Sequence, residues 1–186
     1  MKYALLLPLL AIPFLGNAQF KLTSNGFVSE TDSTKNYIVV EAPGISQANL
    51  YKKTVVYLSG IYVSPKEVMS TVDNESITVN AIAAKAIKMK VLYLNPNWDV
   101  NYTIGFQFKD GKIRIGQPSI NKLTTRTGDI YRTGDIGPGD GPNHKEIYNK
   151  KGELKQKDAK EGLEAYFDNY ISDLKKGVLS SKQDNW

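Results

Sequence analysis

The sequence predicts an α+β fold, β-α-β(4)-α in order, with an antiparallel sheet and helices packed on one face. Three observations lead there. Val100, Tyr102, Ile104, Phe106 and Phe108 alternate with polar positions such as Asn101, Thr103, Gln107 and Lys109. That pattern marks a strand with one buried and one wet face, as in an antiparallel sheet covered on a single side. Ser46 followed by Leu50, Thr54, Tyr57, Leu58 and Ile61 reads as a capped amphipathic helix. Leu163, Phe167, Tyr170, Ile171, Leu174 and Val178 form a second helical stripe near the end.

The elements follow in chain order. Tyr37 to Glu41 is rich in β-branched residues and reads as the first strand, ended by Pro43 and Gly44. The first helix starts at Ser46, whose hydroxyl suits an orphan backbone N–H, with Ile45 and Leu50 spaced as a hydrophobic staple. Pro65 prevents its continuation. Four strands are expected next: Lys66 to Val72, Ser76 to Ile82, Lys85 to Leu94, and the alternating segment to Lys109. Asp110-Gly111 is a hairpin signal leading into a short strand, Lys112 to Gly116. From Thr127 to Asn143 a near-repeat, Arg126 to Tyr131 and Arg132 to Gly137, runs into Gly-Pro-Gly-Asp-Gly-Pro. This density of glycine and proline reads as a loop. After a turn at Asn149 to Gly152, the closing helix is expected from Asp158 to Gly177. Gly162 inside it is unfavourable by roughly 1 kcal/mol against alanine.

The N-terminus carries an address. Lys2 precedes an apolar run from Ala4 to Leu15, and Gly16-Asn17-Ala18 supplies small residues ahead of Gln19. This is the layout of a secretory signal cleaved between Ala18 and Gln19. The run is short of the roughly 20 apolar residues of a membrane span. The expected organisation is a signal peptide over 1–18, a polar lead-in over 19–36, one domain over 37–179 containing the loop 127–143, and a flexible tail over 180–186. The chain has 186 residues, a net charge of +5 and no cysteine, so a disulfide framework, thiolate chemistry and an N-terminal cysteine lipid tether are all excluded. Scattered lysines read as a solubilising charge. The expected location is the periplasm or the medium, without a lipid anchor.

The order of elements, together with particular residues, resembles a known family. Lys35 to Glu41, Gly44-Ile45-Ser46, Leu50-Tyr51, Pro65 to Val72, Ile77 to Ala83, the Tyr148 to Leu154 turn and Tyr166-Phe167 carry the likeness. The chain is similar to the bacterial exported domain-of-unknown-function family 4468, with a TATA-binding-protein-like (TBP-like) fold. The resemblance implies that fold and transfers no catalytic residue. Duplex readers of this shape use two pseudo-repeats and apolar wedges. One repeat and an export signal argue against nucleic acid as a partner.

Candidate chemistry is sparse. His144, the only histidine, sits beside the glycine-rich loop and is expected to face solvent. Asp129, Asp135 and Asp140 are weak candidates for calcium, since their spacing misses the alternate-residue pattern of an EF-hand loop. Gly137 to Gly141 follows no strand and opens no helix, so it lacks the context of a phosphate loop. Glu161 and Glu164 are expected on a solvated helix face. Tyr51, Tyr57, Tyr62, Tyr93, Tyr102 and Tyr170 are expected mostly in the core with hydroxyls at its rim, or lining a pocket or contact surface. The reading that follows is a non-enzymatic binding or structural module without cofactor. Its partner would be an envelope protein or polymer. The alternatives are an enzyme with a carboxylate and tyrosine site, and a calcium-binding loop module.

Overall fold

The computed structural model describes residues 19–180, and the expected signal segment with Ala18 lies outside them, as does 181–186 of the tail. The chain opens with β1 (Phe20–Thr23) and β2 (Gly26–Ser29), then β3 (Tyr37–Glu41), α1 (Gln47–Ile61), α2 (Pro65–Val68) and β4 (Met69–Val72). The long strands β5 (Ser76–Lys88) and β6 (Asn97–Lys109) follow, then β7 (Lys112–Gly116), β8 (Ser119–Thr127), β9 (Ile130–Asp135), β10 (His144–Glu146) and α3 (Lys157–Leu179).

β6 organises the sheet. One of its edges pairs antiparallel with β5, and β5 pairs with β4. The other edge is shared: β8 pairs with the first half of β6, and β7 with the second. β7 and β8 are nearly one strand, interrupted at Gln117-Pro118, where proline has no N–H for a ladder. β3 extends the sheet from β7, while β9 and β10 extend it from β8. The β9–β10 pair is parallel and the other pairs are antiparallel, so the class is α+β with a mostly antiparallel sheet.

The alternation of β6 behaves as its sequence dictates. Trp98, Val100, Tyr102, Ile104, Phe106 and Phe108 are all buried, joined by Ile77 and Val79 of β5 and Ile113 and Ile115 of β7. α1 and α3 cover this face. α1 presents Leu50, Thr54 and Leu58, and Ser46 Oγ accepts from the Asn49 N–H at 3.4 Å as its N-cap. Asp110 in the following hairpin turn also accepts from the Gln47 N–H at 2.8 Å, tying the turn to the helix start. The whole stripe of α3, from Leu163 to Val178, is buried.

Several expectations are corrected. The segment 19–36 is not an irregular lead-in: β1 and β2 form an antiparallel hairpin that buries Phe20, Leu22 and Phe27. Phe27 packs edge-on to Phe167 of α3, with ring centroids 5.2 Å apart. The expected strand from Lys66 begins as the short helix α2, because Pro65 fits a first helical turn. The expected separate strand Lys85 to Leu94 is instead split: Lys85 to Lys88 is the end of β5, carried past a register shift between Ala83 and Ile87, and Val91 to Leu94 close a turn. Lys85 at that bulge has φ +54°. The loop 127–143 is half strand, because β8 and β9 form a hairpin across Gly128-Asp129.

Candidate functional site

Among the depressions on the surface of the described residues, two differ in their chemistry. The first, about 720 Å³, lies on the uncovered sheet face among Tyr37, Glu41, Glu75, Lys109, Lys112 and Arg114. Its charges are of both signs and stand in the open, with the Arg114 guanidinium 3.9 Å from the centroid of the Tyr37 ring. The rest of that face is mostly polar, with Val39 and Ile82 exposed on it. Thr103 Oγ1 donates to Asn80 Oδ1 at 2.6 Å, and Asn121 Nδ2 donates to Thr103 Oγ1 at 2.9 Å.

The second, about 670 Å³, lies where α1 ends beside β5 and α3. Tyr62 is the C-cap of α1, turned extended at φ −101° and ψ 138°. Tyr102 points inward from β6, and Tyr166 and Tyr170 stand one turn apart on α3, so they share a helix face. Their hydroxyls converge. Tyr62 Oη lies 3.1 Å from Tyr102 Oη and 3.0 Å from Tyr170 Oη, and Tyr102 Oη lies 3.3 Å from Tyr166 Oη. Four hydroxyls joined by three bonds leave one O–H donor of the chain for something outside it. Burial pushes all four phenols up from their ordinary range, and neighbouring hydroxyls add to this at Tyr62 and Tyr102. They therefore remain neutral at any physiological pH, able to donate and accept but not to act as phenolate bases.

The rim of this recess is apolar. Ile61, Val63 and Ile82 line it and are exposed, with Val63 wholly so. The edge of β5 borders it as well, since β4 pairs only with Ser76 to Val79. The Phe108 N–H donates to the Glu75 carbonyl at 3.0 Å, which sets the parity of the ladder. Alternation then aims the peptide groups of Asn80 and Ile82 away from β6, toward the edge that the recess borders.

The residues singled out in the sequence are dispersed. Tyr62, Tyr102 and Tyr170 meet in the recess, joined by Tyr166, which only the family likeness had marked. Tyr51 instead lies edge-on to Phe108 at 5.6 Å, and Tyr57 covers Gly177. Tyr93 is not core but stands 91% exposed. His144 does not sit in open solvent. It lies on β10, its Nε2 is buried without a partner, and Gly139 is pressed against its ring. The parallel pairing with β9 draws it in. Burial raises the Asp135 carboxyl, opposed by the nearby charge positions of His144 and Lys122. Asp129 is fully exposed beside Arg126, and Asp140 is exposed in the irregular segment between β9 and β10. Among the described residues no three metal-type ligands come together, so the structure does not gather Asp129, Asp135 and Asp140. Glu164 is not on a solvated face. It accepts from the Leu22 N–H at 2.8 Å and pairs with Lys160 at 2.6 Å, which anchors the N-terminal hairpin to α3.

Residues 37–121 match the model of a domain of unknown function (DUF4468) with a TBP-like fold. Tyr62 and Tyr102 fall inside that match, and Tyr166 and Tyr170 outside it. A TBP-like protein from Parabacteroides distasonis is similar in structure, with a TM-score of 0.53 at 14% identity, over 77% of this chain and 91% of that one. A DUF4468 family protein from Bacteroides ovatus aligns with a TM-score of 0.48 at 16% identity, over 81% of this chain and 88% of that one. No curated protein matches the sequence.

Proposed function

We propose that this chain, which carries the DUF4468 domain with its TBP-like fold over residues 37–121, is an exported, non-enzymatic binding module of the cell envelope. The observation that carries the reading is the chain of four tyrosine hydroxyls flooring the recess between α1, β5 and α3. A concave site with an apolar rim and a few convergent polar groups is the usual form of a binding pocket. Neutral phenols supply orientation without proton abstraction, which favours binding over catalysis. The fold alone carries no function. Nucleic acid is not the proposed partner. The uncovered sheet face is mostly polar, and its aromatic rings Tyr37 and Tyr131 lie under Arg114 and Lys122, whereas minor-groove readers insert free apolar wedges.

The export half rests on the layout of residues 1–18. N-terminal mass analysis of the protein from the periplasm or medium is expected to find a chain starting at Gln19. Recovery of an intact Met1 form from the cytoplasm would sink it. The binding half is tested by affinity capture from an envelope fraction, comparing the wild type with Val63→Asp at the recess and Lys112→Glu on the sheet face. A reproducible partner should survive Lys112→Glu and fall by roughly tenfold with Val63→Asp, the size of effect expected when a charge is placed in an apolar contact. A partner lost only with Lys112→Glu would move the site to the sheet face, and no reproducible partner would end the reading.

A further inference from the structure

The sharpest anomaly outside the recess is a turn. Val91 and Leu94 exchange two backbone bonds, Val91 N–H to the Leu94 carbonyl at 2.9 Å and Leu94 N–H to the Val91 carbonyl at 3.0 Å. Leu92 therefore occupies the first central position of a two-residue turn, at φ +56°. That position favours glycine, because a side chain there crowds the following carbonyl. The β8–β9 hairpin shows the ordinary solution in the same molecule, with Gly128 at φ +61°. Folding alone gives no reason for leucine at 92. A strained residue kept at an exposed tip points to use of its side chain.

The tip is also apolar. Leu92 is 79% exposed, Tyr93 91% and Leu94 42%. It is not a loose loop. Val91 and Met89 behind it are buried, and Trp98 Nε1 donates to the Met89 carbonyl at 2.9 Å. Gln156, the N-cap residue of α3, holds Lys90 from both sides: its Oε1 accepts from the Lys90 N–H at 3.2 Å and its Nε2 donates to the Lys90 carbonyl at 3.3 Å. A rigidly mounted tip gives up little conformational freedom when it is buried by a partner.

Charge identifies the partner. Lys88 at the end of β5 and Lys90 just before the tip are exposed, and neither forms an ion pair among the described residues. Lys155 and Lys157 flank Gln156 and are matched by Glu153 and Glu161. Two free cations behind a Leu-Tyr-Leu tip suit a surface that is apolar a few ångströms in and anionic at its boundary. Tyrosine favours that boundary, with ring inward and hydroxyl at the headgroups.

We propose that the Leu92–Leu94 turn docks the protein onto a lipid bilayer bearing anionic headgroups, with the leucines inserted and Lys88 and Lys90 on the headgroups. The inference stands apart from the recess, and either can fail alone.

The test is sedimentation of the chain from Gln19, which contains every element described above, with phosphatidylcholine vesicles and with vesicles carrying roughly 30% phosphatidylglycerol. Partition is expected on the anionic vesicles and should weaken as salt is raised. Leu92→Ser with Tyr93→Ser should lower it by at least about tenfold, given the apolar surface removed. Lys88→Gln and Lys90→Gln should each lower it roughly fivefold on anionic vesicles. These positions are exposed, and unchanged circular dichroism and thermal midpoint confirm that the variants fold. In Tyr93→Trp, quenching by brominated lipid should reach the new indole. Equal partition of the wild type and the tip variant would overturn the proposal, as would equal partition on neutral and anionic vesicles. Absence of partition would also overturn it and leave the tip as a surface for a protein.

Discussion

At the residue scale, the near-repeat of Thr-Gly-Asp-Ile shows how one tetrapeptide does two different jobs. In the first copy, Gly128 stands in the two-residue turn between β8 and β9 at φ +61°, with open space where a Cβ would point. In the second copy, Gly134 lies within β9 with an ordinary φ, and a Cβ there would meet the Lys145 carbonyl at 2.9 Å and Met89 Cε at 3.0 Å. The first glycine is needed for its backbone, the second for its lack of a side chain. Gly128→Ala should therefore lose about 1–2 kcal/mol through left-handed strain, and Gly128→Asn should recover much of it, because asparagine tolerates that conformation. Gly134→Ala should lose about 1–3 kcal/mol by overpacking, and Gly134→Asn should be worse rather than better. Urea unfolding of the four variants distinguishes the two cases. Rescue by asparagine at both positions would refute the assignment. The same pair explains why this region was illegible in the sequence. A strand whose buried position is a glycine shows no apolar alternation, so β9 reads as loop.

At the scale of elements, legibility followed the strength of the buried stripe. α3 and β6 bury long, regular sets of large apolar residues, and both were readable from spacing alone. β1 and β2 bury only Phe20, Leu22, Phe27 and Ser29 in two four-residue strands, so their turn residues dominate the local composition. The helices meet at a contact that spacing does not reveal. Gly177 of α3 lies under the ring of Tyr57 of α1, and a Cβ at 177 would overlap that ring. Helix propensity alone would favour alanine at 177 by nearly 1 kcal/mol, whereas overpacking works against it by about 1–3 kcal/mol. Gly177→Ala is expected to destabilise the wild type and to stabilise a Tyr57→Ala background. A double-mutant cycle measures this coupling, and the same sign in both backgrounds would mean that the ring swings aside freely. The tyrosine recess was half legible for a related reason. Tyr62, Tyr102 and Tyr170 were each visible, but their hydroxyl bonds span separations of 40 and 108 residues, which no local period encodes.

At the scale of the whole molecule, those hydroxyls link α1, β6 and α3 into one unit, and their titration reports on global folding. Tyr62, Tyr102, Tyr166 and Tyr170 are raised in the fold, chiefly by burial. In the unfolded chain they return to about 10. A raised folded value means the native state holds its protons more tightly, so its stability is intact below pH of about 10 and declines above it. Each tyrosine that stays protonated in the fold contributes a decline of up to about 1.4 kcal/mol per pH unit. The protein should consequently unfold cooperatively in alkali before these phenols ionise in place. The recess set should ionise in a single step that coincides with the loss of circular dichroism. Tyr102→Phe separates the network from mere burial. It removes the hydroxyl that bonds both Tyr62 and Tyr166, so stability at neutral pH should fall by about 1–3 kcal/mol, while the alkaline decline becomes shallower because one raised group is gone. Absorbance at the phenolate band, followed together with circular dichroism, tests this. One smooth titration of all the tyrosines in a protein that keeps its native spectrum would show that the four hydroxyls are not held in a buried chain.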